Sequence, residues 1–276
     1  MMKYYLGNTK AHISYQMKDL KSQPRIISDT NIWYGIADGS IPEKSIENLN
    51  LVLISNSLRE FSISPNIKAN PKLLQRACLM ALTKSKRIIY DSSLDIIIKT
   101  FDKKYVSNID FMLKTHDEIR RFTRVEPNEI YNIPDELMSP VLKEREDVQK
   151  ICNQINNAIL PNIRSKIKKG GSKKEHRDKS GVSGILSLIN MYVQQYTSNS
   201  ISLPDPYDFK EIEVFIRTWE VFFKELELSK MKIKVNDWFD LFNIVFVNND
   251  SLYWTRDEKW KKFIAKAGYE DKLFDI

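Results

Sequence analysis

The feature that most constrains the fold of this chain is a pair of short apolar runs, one near each end, that both stop at acidic segments. Residues 25–29 lead into Asp29-Thr30-Asn31, and residues 251–255 lead into Thr255-Arg256-Asp257. Short apolar runs bounded by polar residues are typical of buried strands. Because open α/β sheets place their sites at the carboxyl ends of strands, both acidic segments are candidates for one site.

Further acidic candidates follow other apolar segments. Residues 50–54 predict a second strand that runs into a helix carrying Glu60. Residues 237–247 predict a short apolar helix, on which Asp237 and Asp240 share one face because they are three positions apart. Asp240 is favoured as the acid of the site, and Asp237 as a group at the start of the helix.

Composition narrows the class of protein. The chain has 276 residues, of which 42% are hydrophobic, so it can bury a substantial core. No apolar run is long enough to span a bilayer, and the first residues lack the apolar stretch of a secretory signal. These features predict a cytoplasmic protein without a membrane partner. Cys78 and Cys152 are predicted to be buried thiols, and the three histidines have no zinc-site spacing.

Positive charge is concentrated in one segment. The formal net charge is +7, and residues 163–179 contain eight Lys and Arg residues around Gly170-Gly171. This composition predicts a mobile basic loop that either contacts RNA phosphates or is a surface loop with no partner. By contrast, the aromatic stripe of a predicted helix at 211–226 is expected to lie in the core.

These acidic segments, in their order and strand context, resemble those of the PIN-domain ribonucleases. In that family the first strand ends in Asp-Thr-Asn or a close variant, and a Glu follows the second strand. A third acid opens a helix before the fourth strand, which ends in Thr/Ser-x-Asp/Asn. The matching positions here are Asp29-Thr30-Asn31, Glu60, either Asp237 or Asp240, and Thr255-Arg256-Asp257.

The resemblance implies a divalent-metal site and a hydrolytic activity. Four carboxylates would bind Mg²⁺ or Mn²⁺, which can activate a water and stabilise phosphoryl oxygens. The implied metal ligands are Asp29, Glu60, Asp240 and Asp257. The implied catalytic set adds Asp237, Asn31 and Thr255, the last two as groups that orient the carboxylates.

The implied function is a metal-dependent endoribonuclease that hydrolyses RNA phosphodiester bonds. RNA would bind in part through the basic loop 163–179, and the toxin members of the family imply an antitoxin-like protein partner. Two other functions stay open, namely a non-catalytic PIN-like module that binds RNA or protein, and a DNA-directed nuclease in phage defence. The oligomeric state is also left open.

The predicted fold is α/β, a three-layer α/β/α arrangement around a mostly parallel sheet of four or five strands. The third strand falls either at 87–90 or at 94–100, and the second of these segments also fits a helix. Residues 1–24 are predicted to form an N-terminal arm. Residues 25–276 are predicted to form a PIN-like domain, interrupted by a mainly helical insertion at about 105–228.

Overall fold

The computed structural model describes residues 23–126, 129, 131–170 and 180–276. Its centre is a sheet of four parallel strands in the order β3-β2-β1-β4. The strands are β1 Arg25–Ser28, β2 Leu51–Ile54, β3 Arg87–Ile89 and β4 Ser251–Trp254. The predicted α/β class and parallel sheet are therefore confirmed, with four strands in the part of the chain that the structure describes.

Helices surround this sheet. The helices are α1 Thr30–Asp38, α2 Ser55–Ser62, α3 Asn66–Ala69, α4 Pro71–Lys84, α5 Ser93–Phe101, α6 Asp110–Phe122, α7 Asp135–Gln154, α8 Leu160–Gly170, α9 Val182–Tyr196, α10 Glu213–Leu228, α11 Val235–Asn243 and α12 Glu258–Lys266. A π-helical turn, Ile155–Ile159, joins α7 to α8. Of the two candidates for the third strand, Arg87–Ile89 is the strand, and 94–100 lies in α5, whose start is capped by Ser92.

Both faces of the sheet are buried because its side chains alternate between two hydrophobic clusters. Ile27 and Tyr253 pack in a cluster with helices α5 and α7–α12, whereas Ile26 and Trp254 pack in a second cluster with α1, α2, α4 and α6. The structure is therefore compatible with three layers, helices on either side of one sheet. The aromatic stripe of α10 lies in the first cluster, as predicted.

The described part of residues 105–228 is helical, and its helices contribute to both clusters. Helix α6 packs on one face of the sheet, while α9 and α10 pack on the other. The segment is thus built into the core, and the predicted limits of the domain and of its insertion stay predictions.

The prediction of a basic loop at 163–179 is wrong for its first half, because residues 163–170 form part of helix α8. Arg164 explains the difference. Its guanidinium donates to the backbone oxygens of Leu226 at 2.6 Å and Met231 at 2.8 Å, which anchors α8 to the end of α10. Residues 171–179 and the first 22 residues of the predicted arm lie outside the described residues.

The prediction for the two cysteines is confirmed, because Cys78 and Cys152 are both buried free thiols. Among the described residues, no helix combines the length and apolar character required to cross a membrane.

The topology explains where a site can form. From β1 the chain moves to β2 on one side, and it returns at its end as β4 on the other side of β1. The carboxyl ends of β1 and β4 therefore flank the point at which strand order reverses, where open α/β sheets leave a crevice.

Candidate active site

Asp29 lies at the floor of this crevice, between the end of β1 and the start of α1. It is the N-cap residue of α1, and its Oδ1 accepts the Thr30 N–H at 2.7 Å. Its Oδ2 accepts from Asn31 Nδ2 at 2.7 Å and from Thr255 Oγ1 at 2.8 Å. The residue is only 4% exposed, so burial raises the pKa of Asp29 while these donors oppose the rise.

Asn31 and Thr255 join the loops that follow β1 and β4. The Asn31 side chain donates to Asp29 and accepts the backbone N–H of Arg256 at 3.2 Å. The Thr255 hydroxyl donates to Asp29 and accepts the backbone N–H of Asp257 at 3.1 Å. Both side chains therefore orient the central carboxylate, which is the role predicted for them.

Asp257 is half-buried at the start of α12. Its Oδ1 accepts the Lys259 N–H at 2.8 Å, so it caps that helix. Its charge also raises the pKa of Asp29, which places the two carboxylates within electrostatic range.

Glu60 reaches the same crevice from α2, the helix that follows β2. Burial, followed by the charge of Asp29, raises the pKa of Glu60 to about 7. The Thr30 hydroxyl and the charges of Arg145 and Arg59 act in the opposite direction. Glu60 is therefore an acid held between an anionic floor and two cationic side chains.

Asp240 faces the crevice from α11. Its Oδ2 accepts the indole N–H of Trp260 at 3.0 Å. Burial and then the charges of Asp29 and Glu60 raise the pKa of Asp240, and Trp260 and Lys259 oppose this effect. Because the charge of Asp29 affects both Glu60 and Asp240, the three acids lie near one another.

Asp237, the alternative acid on α11, has other partners. Its Oδ2 accepts the Lys234 N–H at 3.0 Å at the start of the helix, and its Oδ1 forms an ion pair with Lys259. Asp237 therefore stabilises the first turn of α11 and links it to α12.

The structure thus brings together Asp29, Glu60, Asp240 and Asp257, with Asp29 in the middle. Their oxygens are near enough for charge interaction, but they are directed towards separate donors. Among the residues that the structure describes, no group of three or more His, Cys, Asp or Glu side chains is arranged so that it could hold a metal ion. Sharing one ion would therefore require these side chains to rotate.

Two arginines stand at the mouth of the crevice. A narrow pocket of about 10 Å³ beside Glu60 is lined by Arg59 and by Arg145 of α7, with Phe239 on its wall. The Arg145 guanidinium lies 5.2 Å from the centre of the Phe239 ring, and it donates to Asn236 Oδ1 at 2.8 Å. Arg59 of α2 forms an ion pair with Glu144 of α7. Helix α7 thus places Arg145 beside Glu60, while its Glu144 offsets the charge of Arg59.

A larger groove of about 670 Å³ adjoins this pocket at Ile63. It is lined mainly by apolar side chains, with Lys68 and Asp135 as its charged residues, and it contains none of the four carboxylates. The four carboxylates therefore lie outside the larger groove, and only Glu60 among them lines the narrow pocket.

Several residues of the crevice were not predicted from the sequence. Asn56 donates to Asn243 Oδ1 at 2.7 Å, and Asn243 Nδ2 lies 3.5 Å from Asp29 Oδ1. Helical spacing could have identified both, because each is one turn from Glu60 or Asp240 on the same face. Arg145 had no such signal, since its position depends on how α7 packs.

Comparison of the chain with protein-family models, with curated proteins and with solved structures finds no match in any of the three. A functional assignment therefore depends on the residues and geometry of the crevice.

Proposed function

We propose that this protein is a metal-dependent endoribonuclease of PIN-like architecture that uses Mg²⁺ or Mn²⁺ to hydrolyse RNA phosphodiester bonds. The observation that carries the proposal is the convergence of Asp29, Glu60, Asp240 and Asp257 at the carboxyl edge of the parallel sheet. These acids come from four separate parts of the chain, and the carboxyl edge of an open α/β sheet is where such folds place their sites.

The chemistry of this set of donors fits a hard divalent cation. Oxygen ligands are what Mg²⁺ and Mn²⁺ prefer. Burial and mutual repulsion raise the pKa of Asp29, Glu60 and Asp240, so a cation between them would offset both costs. A bound ion supplies a water of lowered pKa and positive charge beside the phosphate.

The residues of the crevice divide into a fixed part and an adjustable part. Asp29 is fixed, since its oxygens accept three hydrogen bonds of 2.7–2.8 Å from Thr30, Asn31 and Thr255. Glu60 and Asp240 are half-buried, and binding a common ion would require both side chains to turn towards it. Asp257 adds negative charge near Asp29 at the start of α12.

The proposal of a nucleic-acid substrate rests on the positive charge beside Glu60 and on the net charge of the chain. Arg145 lies beside Glu60, and a guanidinium group can bind phosphate oxygens through paired N–H donors. The net charge of +7 adds a general attraction for a polyanion. Contacts of this kind hold a backbone without selecting a base sequence.

The test is a digestion assay with the purified full chain. Single-stranded RNA, single-stranded DNA and a flapped DNA duplex are each incubated with Mg²⁺, with Mn²⁺ and with chelator. We expect cleavage of RNA that depends on the metal and that Asp29→Asn abolishes. The control variant is Asp250→Asn, because Asp250 is an exposed residue before β4, at the opposite end of the sheet.

Cleavage of DNA alone would replace RNA with DNA as the substrate and assign a DNA-directed nuclease. A second candidate function, a PIN-like module that binds RNA or protein without catalysis, is favoured by one observation. The carboxylates are not gathered around a single point in the described part of the chain. RNA binding without cleavage under every metal condition would establish that alternative. An antitoxin-like partner stays a prediction from the resemblance.

A further inference from the structure

One buried hydroxyl beside the carboxylates has no partner. Tyr253 of β4 is 1% exposed, and no group that the structure describes forms a hydrogen bond with its Oη atom. Buried polar atoms in folded proteins nearly always have a hydrogen-bond partner, whether protein or ordered water. The surroundings of such a hydroxyl decide what it could bind.

The position of Tyr253 on β4 defines the surroundings of this hydroxyl. Tyr253 lies two residues before Thr255, so both side chains point to the same face of the strand. Burial comes first among the effects that raise the pKa of Tyr253, and the charges of Asp29, Asp240 and Glu60 follow in that order. Because Thr255 donates to Asp29 Oδ2, Tyr253 lies on the side of β4 that leads to the Asp29 carboxylate. The Asn243 amide is also close, but it does not meet hydrogen-bond geometry with this atom.

A second tyrosine provides an internal comparison. The Oη atom of Tyr192 is also buried and without a partner. Its ring packs against Trp238, with ring centres 5.4 Å apart, and the charged group that raises its pKa after burial is the thiol of Cys152. The two hydroxyls share the same burial and lack of partner, and they differ in whether carboxylates surround them.

We propose that the Tyr253 hydroxyl is a positioning residue of the carboxylate site, which donates a hydrogen bond to a water ordered between Asp29 and Asp240. This inference rests on the proposed function, because it assigns the hydroxyl to the same metal-dependent crevice. A phenolic hydroxyl can donate a hydrogen bond to such a water. A fixed donor there would hold the water in one orientation relative to the carboxylates.

The test compares Tyr253→Phe with Tyr192→Phe in the full chain. Each variant removes one buried, unpartnered hydroxyl and retains the ring. Mn²⁺ affinity is measured by titration with electron paramagnetic resonance detection, and thermal unfolding without metal is measured in parallel. We expect about a tenfold weaker Mn²⁺ affinity for Tyr253→Phe, no change for Tyr192→Phe, and unfolding temperatures no lower than that of the wild type.

A crystal structure of the wild-type chain with Mg²⁺ provides a measurement that does not depend on a variant folding. A water within about 3 Å of Tyr253 Oη and in contact with Asp29 or Asp240 supports the proposal, and its absence overturns it. If the wild type binds Mn²⁺ and cuts RNA, but both Phe variants have wild-type affinity, the role of Tyr253 is wrong and the nuclease stands. If the wild type neither binds Mn²⁺ nor cuts RNA, the proposed function is wrong and this role falls with it.

Discussion

The Oδ2 atom of Asp29 accepts a hydrogen bond of 2.8 Å from Oγ1 of Thr255, although 226 positions separate the two residues. The bond connects the loop after β1 with the loop after β4, where strand order reverses. It is buried, so it has little competition from water and sets the direction of the central carboxylate. The arrangement of the crevice therefore depends on a contact between the two ends of the described chain.

Removal of that hydroxyl should weaken metal-dependent cleavage. We expect Thr255→Val to lower the cleavage rate by about 10- to 100-fold, because it removes a group that orients a proposed metal ligand. Thr255→Ser keeps the hydroxyl and is the control, with a rate near that of the wild type. Rates are measured on one labelled RNA with Mg²⁺. A Val variant with the wild-type rate would show that Asn31 and the backbone orient Asp29 sufficiently.

Stability without metal should fall as the pH rises. In the folded state the pKa of Glu60 is raised from 4.5 to about 7, so the folded chain binds more protons than the unfolded chain between these values. The contribution of Glu60 is therefore fully present below about pH 4.5 and is lost as the pH rises through 7. Its neighbours Asp29 and Asp240 are shifted in the same direction.

Glu60→Gln measures this effect. At pH 8 and without metal, we expect the variant to exceed the wild type in free energy of unfolding by about 2 kcal/mol. The difference should shrink towards pH 5, and thermal unfolding from pH 4.5 to 8 reads it out. Glu47→Gln, at an exposed position, is the matched control. Mn²⁺ should stabilise the wild type more at pH 8 than at pH 5, and an equal effect at both would contradict the electrostatic origin.

Asp237 and Asp240 should respond differently to the same substitution. We expect Asp240→Asn to abolish Mn²⁺-dependent cleavage while the fold persists, since the amide oxygen can still accept from Trp260. Asp237→Asn should keep cleavage within a few-fold and lose about 1 kcal/mol of stability, because it weakens the ion pair with Lys259. Cleavage assays and thermal unfolding of both variants separate these roles. If Asp237→Asn abolished cleavage instead, the two roles would be exchanged.

Arg145 should contribute to the salt dependence of RNA binding. Binding is measured in the Asp29→Asn background, where the RNA stays intact, by fluorescence anisotropy from 50 to 300 mM salt. We expect Arg145→Gln to weaken binding and to lower the slope of log K against log salt by about 0.7, the value for one phosphate contact on a single strand.

Two controls accompany Arg145→Gln. Arg145→Lys keeps the charge and should keep the slope. Lys150→Gln removes a cation of the same helix that pairs with Asp147, and it should leave the slope unchanged. A slope that Arg145→Gln does not alter would show that Arg145 serves only to hold α7 against Asn236 and Phe239.

Much of the sheet could be predicted from local sequence, because its strands are short apolar runs that stop at polar residues. The predicted runs at 25–29, 50–54 and 251–255 differ from the observed strands by one residue at an end. The third strand stayed ambiguous since a short apolar run fits a strand or a buried helix equally well. Residues 163–170 were predicted as loop from their charge, but the backbone contacts of Arg164 hold them in α8.

The acids could be chosen as candidates from the sequence, whereas their raised pKa values could not be predicted from it. Asp29, Glu60 and Asp240 each follow or precede a strand in a recognisable pattern. Their raised pKa values arise from burial and from one another, and both depend on how helices α2 and α11 pack beside the sheet. The position of Arg145 beside Glu60 depends in turn on how α7 packs.

By itself, the sequence predicted the α/β class, three of the four strands and a candidate set of four acids, because these follow from hydrophobic periodicity and residue type over a few positions. The tertiary structure decided which acids meet, that Asp237 pairs with Lys259 while Asp240 faces Asp29, and which hydroxyl remains without a partner beside them. The physical reason is that burial and charge interaction are properties of distance in space. Residues far apart in the chain contribute to both as strongly as neighbours do.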